Sequence, residues 1–183
     1  MPAPDEEDRV AAEIEPDTKD WTWVLQQACP ECGFDATAVD PRSIGATVRA
    51  LVPRWEAALA RDDVRDRPEP ATWSTLEYGA HVRDVFRVMD LRLALMLEHD
   101  DPQFANWDQD ATAVAERYDL QDPAVVAHEL GGAAAVLADR YDSVPDDAWQ
   151  RPGRRSNGSV FTVDTLGRYM LHDVLHHLHD VRG

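Results

Sequence analysis

Between Asp40 and Asp180, apolar residues recur every three or four positions in four separate stretches, the spacing of a helix with one buried face. The first opens at Asp40-Pro41, an N-cap followed by proline at the first helical position, and continues through Ile44, Val48, Leu51, Trp55 and Leu59. Pro53 lies inside it and predicts a kink. The second opens with the capping-box sequence Ser74-Thr75-Leu76-Glu77 and runs to about Glu98. Its apolar face gathers Tyr78, Val82, Val85, Val88, Met89 and Met96, and His81 falls on that face. The third starts at Asp122-Pro123 and carries Val126, Leu130, Ala134 and Leu137 to Tyr141. Gly131-Gly132 weakens it locally and permits close packing. The fourth begins near Thr162. This pattern predicts an all-α fold, a four-helix bundle, with an irregular N-terminal extension.

The intervening stretches lack that periodicity. His99 to Gln121 holds Asp101-Pro102, Phe104, Trp107 and several acids, which predicts a long functional loop with at most one helical turn. Arg151 to Gly158 is rich in turn residues. Residues 1–18, dominated by Pro, Asp, Glu and Ala, read as a mobile acidic tail. Asp20 to Leu25 reads as an extended aromatic clasp over the bundle, followed by a turn at Cys29-Pro30-Glu31-Cys32-Gly33. The domain division is therefore 1–39, acidic tail and CxxC-containing extension, and 40–183, the bundle. No internal repeat interrupts it.

A length of 183 residues suits one domain. The net charge of -17, from 35 acidic and 18 basic residues, opposes binding to nucleic acid or anionic lipid through a basic surface. Lys19 is the sole lysine, so lysine Schiff-base chemistry is disfavoured. No apolar run is long enough to span a membrane, and two cysteines are too few for a disulfide framework. Both observations predict a cytoplasmic protein without membrane association.

The chemistry concentrates in Leu171-His172-Asp173-Val174-Leu175-His176-His177-Leu178-His179-Asp180-Val181. On a helix, His172 and His176 lie about 40° apart and can share a ligand, while His179 falls about 20° to the other side of His172. Asp173, His177 and Asp180 point away from that edge, and His177 is expected to face water. Leu171, Val174, Leu175 and Leu178 set the pair at the margin of the core. HxxxH supplies two imidazoles, and a catalytic zinc site takes three protein ligands and leaves one position open. His81 is the candidate third, against the plainer reading of a hydrogen-bonded core histidine. Asp173 stands where HExxH needs glutamate, so a zincin protease is disfavoured.

Trp73-Ser74-Thr75-Leu76-Glu77-Tyr78-Gly79-Ala80-His81, Gly158-Ser159-Val160-Phe161-Thr162-Val163 and His172-Asp173-Val174-Leu175-His176-His177 together resemble the DinB/YfiT-like superfamily of four-helix metal-binding proteins. That superfamily includes mycothiol- and bacillithiol-dependent S-transferases and the mycothiol-dependent maleylpyruvate isomerase. The resemblance spans roughly Ser43 to Val181. It implies a divalent metal, zinc or nickel, held by His81, His172 and His176; His179 departs from that pattern as an extra candidate that could replace His172 by pairing with His176 at i, i+3. It also implies open metal positions that activate a low-molecular-weight thiol cosubstrate or water.

Cys29 and Cys32 lie outside the superfamily's motif. They look like half a zinc knuckle, which two thiols alone cannot complete. Completion by His99, a site shared across a homodimer, a redox pair and a plain turn all remain as readings. Arg154 and Arg155 are placed to bind a substrate carboxylate or merely to solvate the surface. Tyr169 serves as a donor to a bound ligand or as core; Trp107, Asp108 and Asp110 form a lid or a solvated loop. His128 reads as structural or exposed.

The expected function is a metal-dependent thiol S-transferase acting on a small-molecule thiol and electrophile. Metal-dependent hydrolysis or isomerisation is the alternative within that class, and a non-catalytic, stress-associated metal-binding bundle is the alternative outside it.

Overall fold

The computed structural model describes residue 14 and residues 20–183. The expected acidic tail therefore lies almost entirely outside the described residues. The helices are α1 (Ile44–Leu59), α2 (Thr75–Glu98), the short α3 (Gln109–Ala115), α4 (Pro123–Asp142) and α5 (Val163–Asp180). The bundle consists of α1, α2, α4 and α5, packed around one apolar core.

Local chemistry sets the boundaries. Asp40 accepts from the Arg42 amide and opens a 3-10 turn, Pro41–Ser43, that leads into α1. The helix is continuous across Pro53, and Ile44, Val48, Leu51, Trp55 and Leu59 are all buried. Ser74 and Glu77 form the complete capping box of α2, and the buried Glu77 carboxylate also accepts from Arg67 Nε at 3.0 Å. Asp122 caps α4 by accepting from the amides of Ala124 and Val125. Thr162 caps α5 by accepting from the Thr165 amide.

Three segments differ from the sequence expectation. The stretch after α2 is ordered: β1 (Gln103–Phe104), α3 and a 3-10 turn at Tyr118–Leu120. Arg151 to Gly158 is not just turns, because β2 (Pro152–Arg155) and β3 (Val160–Thr162) form a hairpin, with β1 pairing parallel to β2. Strands this short carry too few residues to display alternation. The third difference is Trp21–Leu25, which is a 3-10 helix capped by Asp20 rather than an extended clasp. It nevertheless packs on α5: Trp21 lies 5.5 Å from the His172 ring and 5.2 Å from the His176 ring, centroid to centroid. Among the described residues no helix is long and apolar enough to cross a membrane.

The sheet positions a loop. Arg154 N–H donates to Pro102 at 2.9 Å and Ser156 N–H to Phe104 at 3.1 Å, fixing the chain that delivers Trp107. Asp108 then caps α3, and Trp107 Nε1 donates to Thr112 Oγ1 at 2.8 Å. Farther on, the buried Tyr118 hydroxyl donates to Asp84 at 2.6 Å and ties the loop to α2.

Close packing between α1 and α4 occurs at Gly45, not at Gly131-Gly132. A Cβ on Gly45 would lie 2.8 Å from the Ala138 carbonyl oxygen, whereas Gly132 faces open space. Backbone cannot yield as a side-chain tip does. Gly45→Ala should therefore destabilise the fold by about 1–3 kcal/mol despite alanine's better helix propensity. Chemical denaturation checks this against Gly132→Ala, which should be neutral or stabilising.

Candidate metal centre

Each residue of an α-helix turns about 100° from the last, so His172/His176 and Asp173/His177 define two neighbouring edges of α5. Different segments cover them. Helix α2 meets the Asp173/His177 edge, with His81 Nε2 3.5 Å from Asp173 Oδ2. His177 Nε2 is 3.7 Å from Asp173 Oδ1, and the His81 and His177 rings are 5.0 Å apart. One donor atom from each of His81, Asp173 and His177 falls within 4.8 Å of the others.

The surroundings fix these side chains. His177 Nδ1 lies 3.0 Å from Asp180 Oδ2, which assigns the proton to Nδ1 and turns the Nε2 lone pair toward Asp173 and His81. Tyr78 packs on the His177 ring at 4.8 Å. Trp107 stacks on His81 at 5.4 Å with the rings 5° from parallel, and Trp73 lies against it at 5.2 Å. The small sheet thus builds one wall of the site.

Neither ring nitrogen of the fully buried His81 makes a well-formed hydrogen bond, and neither does Asp173 Oδ2; His81 Nε2 and Asp173 Oδ2 meet only in their long 3.5 Å contact, and His81 Nδ1 has no partner. Each such atom costs about 1–3 kcal/mol unless something binds it. Burial lowers the His81 pKa and keeps the imidazole neutral. Burial raises the Asp173 carboxyl, but His177 and His81 outweigh it and hold the group at about 2. A neutral His81 imidazole and an anionic Asp173 carboxylate are donor forms a divalent cation requires. The donor set fits a divalent metal ion.

The His172/His176 edge faces the N-terminal segment. Donor atoms of Cys29, Cys32, His172 and His176 all lie within 4.8 Å of one another, and Cys29 Sγ is 3.7 Å from His176 Nδ1. His172 is driven down to about 4 by burial and then by His176, so it too is neutral.

Among the described residues, then, His81 is not gathered with His172 and His176 into one group. The reason is helical phase: α2 contacts the edge one residue farther along α5. His177, expected in water, is instead half-buried between Tyr78 and His81, and Asp173 shares its site. His179 is 57% exposed and belongs to neither group, and His99 and His128 are exposed elsewhere. Asp173, His177 and Asp180 are functional candidates that periodicity alone missed. Their signal was the tandem of donor doublets, His172-Asp173 and His176-His177, one helical turn apart.

Of the two loop arginines, Arg154 is exposed and pairs with Asp101 at 2.8 Å. Arg155 instead lies over Tyr169 at 5.3 Å, and its Nε is buried without a partner. Burial raises the Tyr169 hydroxyl's pKa, with Arg155 opposing and Asp173 reinforcing, so Tyr169 stands electrostatically between the arginine and the site. Arg92, buried over Phe104, is lowered to about 10 by burial and by Arg155. Arg92 and Arg155 thus influence one another, and Tyr169 feels both Arg155 and Asp173.

No curated protein matches the chain. Among solved structures it is similar to YfiT from Bacillus subtilis, a probable metal-dependent hydrolase with an unusual four-helix bundle topology. The TM-score is 0.67 at 15% sequence identity, over 91% of this chain and 89% of that one, a likeness of fold. The DinB superfamily matches residues 46–181, which take in all but the first two residues of the four bundle helices and both donor-bearing edges of α5. The chain belongs to the DinB superfamily.

Proposed function

We propose that the protein is a divalent-metal-dependent enzyme in which His81, Asp173 and His177 hold the ion, and that it delivers a small-molecule thiol to an electrophile bearing a carboxylate. The observation that carries this reading is the convergence of one donor atom each from His81, Asp173 and His177 within 4.8 Å, with buried His81 and Asp173 atoms that make no well-formed hydrogen bond. Three protein donors leave coordination positions for a substrate, as a catalytic site requires. Zinc and nickel both suit imidazole and carboxylate donors.

His81, Asp173 and His177 would hold a divalent ion whose charge would lower the pKa of a bound thiol or water and so supply a nucleophile at neutral pH. The chain's own residues supply the rest. Asp180 holds the His177 tautomer, and Trp73 and Trp107 keep bulk water off His81. Tyr169, its pKa raised, remains an O–H donor beside the site. Arg155 and Arg92 supply the positive charge that favours an acidic substrate. Hydrolysis is the second reading, favoured by what YfiT's description says of that protein.

Metal titration of stripped protein tests the ligand set. His81→Ala, Asp173→Ala and His177→Ala should each lose one bound zinc or nickel per chain, while His179→Ala keeps it. Asp180→Asn should weaken binding by about 10–100-fold. Unchanged metal content in all three alanine variants overturns the assignment. Calorimetry with small thiols separates the reactions: thiol binding that requires the loaded His81 site supports S-transfer, and its absence leaves hydrolysis. With an acidic substrate, Arg155→Met should raise KM by about 10-fold or more with little change in kcat, as expected for a lost hydrogen bond to a charged group.

A further inference from the structure

We propose that Cys29, Cys32, His172 and His176 form a second metal site, a closed four-coordinate zinc site that pins the N-terminal segment to α5. The site does not depend on the reading of His81, Asp173 and His177. Two thiols and two imidazoles are a complete donor set for tetrahedral zinc, which the cysteine pair alone cannot provide.

The geometry is already close to a bound one. Zinc–sulfur and zinc–nitrogen bonds of about 2.3 and 2.0 Å place tetrahedral donors roughly 3.3–3.8 Å apart. The observed Cys29 Sγ to His176 Nδ1 distance is 3.7 Å, and all four donors fall within 4.8 Å. His172 Nε2 is buried with no partner. His176 turns its other nitrogen, Nε2, toward carboxylates, with Glu31 at 3.5 Å and Asp180 at 3.8 Å. Carboxylates on the far nitrogen are the usual outer shell of a metal-bound histidine.

The cysteine turn has the matching form. Gly33 N–H donates to the Cys29 carbonyl at 2.9 Å, Cys29 N–H to Phe34 at 2.8 Å, and Gly33 adopts a φ of +75°, so both thiols point to one side. Trp21 and Phe34 cover the His172 ring at 5.5 and 6.0 Å. Zinc binding would release the two thiol protons to solvent. Two thiolates then neutralise the ion, so the occupied site can be buried without net charge. With four protein donors it has no position for substrate, and its role is structural.

Cobalt tests this directly, because only thiolate ligands give a near-ultraviolet sulfur-to-cobalt charge-transfer band. Reduced, metal-stripped full-length protein titrated with cobalt should develop that band together with tetrahedral visible bands, saturating with one equivalent per chain at this site, and zinc should bleach both. Cys32→Ser should weaken the band, and Cys29→Ser/Cys32→Ser should abolish it. His81→Ala, which disables the other site, should retain it. A wild-type protein that binds cobalt without the band overturns the proposal, whether the cysteines prove to be a redox pair or a plain turn. So does a band lost in His81→Ala while that variant's circular dichroism is native. The wild-type titration needs no variant to fold, and alkylation gives a second measurement. Both thiols should be protected in zinc-loaded protein and exposed by chelation, and equal labelling in the two states contradicts the site.

Discussion

Successive residues on a helix point about 100° apart, so two donor pairs offset by one residue must face different neighbours. That constraint organises this molecule. On α5, Asp173 and His177 turn toward α2, and His172 and His176 turn toward the segment before α1. Leu171, Val174 and Leu178 remain to seal the bundle core. Two groups of metal-type donors on one helix follow from a run of adjacent histidines and acids, without any added element.

Each edge needs its partner held rigidly, and the fold spends much of its local chemistry on that. The capping box of α2, reinforced by Arg67 on the buried Glu77, fixes the helix start two turns before His81. The three-stranded sheet holds the loop carrying Trp107, whose stacking limits the His81 ring. On the other edge, Asp20, Asp35 and Asp40 each cap a short 3-10 turn, so the segment is structured although it contains little regular helix. Arg168 Nη1 adds a bond to the Ala36 carbonyl at 2.8 Å. Asp180 links the two groups, since one oxygen meets His177 and the other approaches His176.

The long helices were readable in the sequence because their apolar spacing and caps agree: Ile44, Val48, Leu51, Trp55 and Leu59 on α1, and Val126, Leu130, Ala134, Leu137 and Tyr141 on α4, are all buried. The candidate site was readable as to residue type and helix but not as to phase. Periodicity places His172 and His176 beside the leucines; it carries no information on which helix covers which edge. Periodicity therefore places His177 in water and Asp173 merely off the His172/His176 edge, although α2 lies against both. The sheet was hidden for another reason. Its strands of two to four residues are too short to alternate, and β1 is held by pairing with β2 about 50 residues away, which no local pattern encodes.

On this reading α5 carries two separate metal sites on adjacent edges. Anomalous diffraction from crystals of untagged protein, recorded at the absorption edges of the metals it retains, tests it most directly. Two peaks are expected, one among His81, Asp173 and His177 and the other among Cys29, Cys32, His172 and His176. A single peak shared by His81, His172 and His176, with the cysteines unligated, would contradict it.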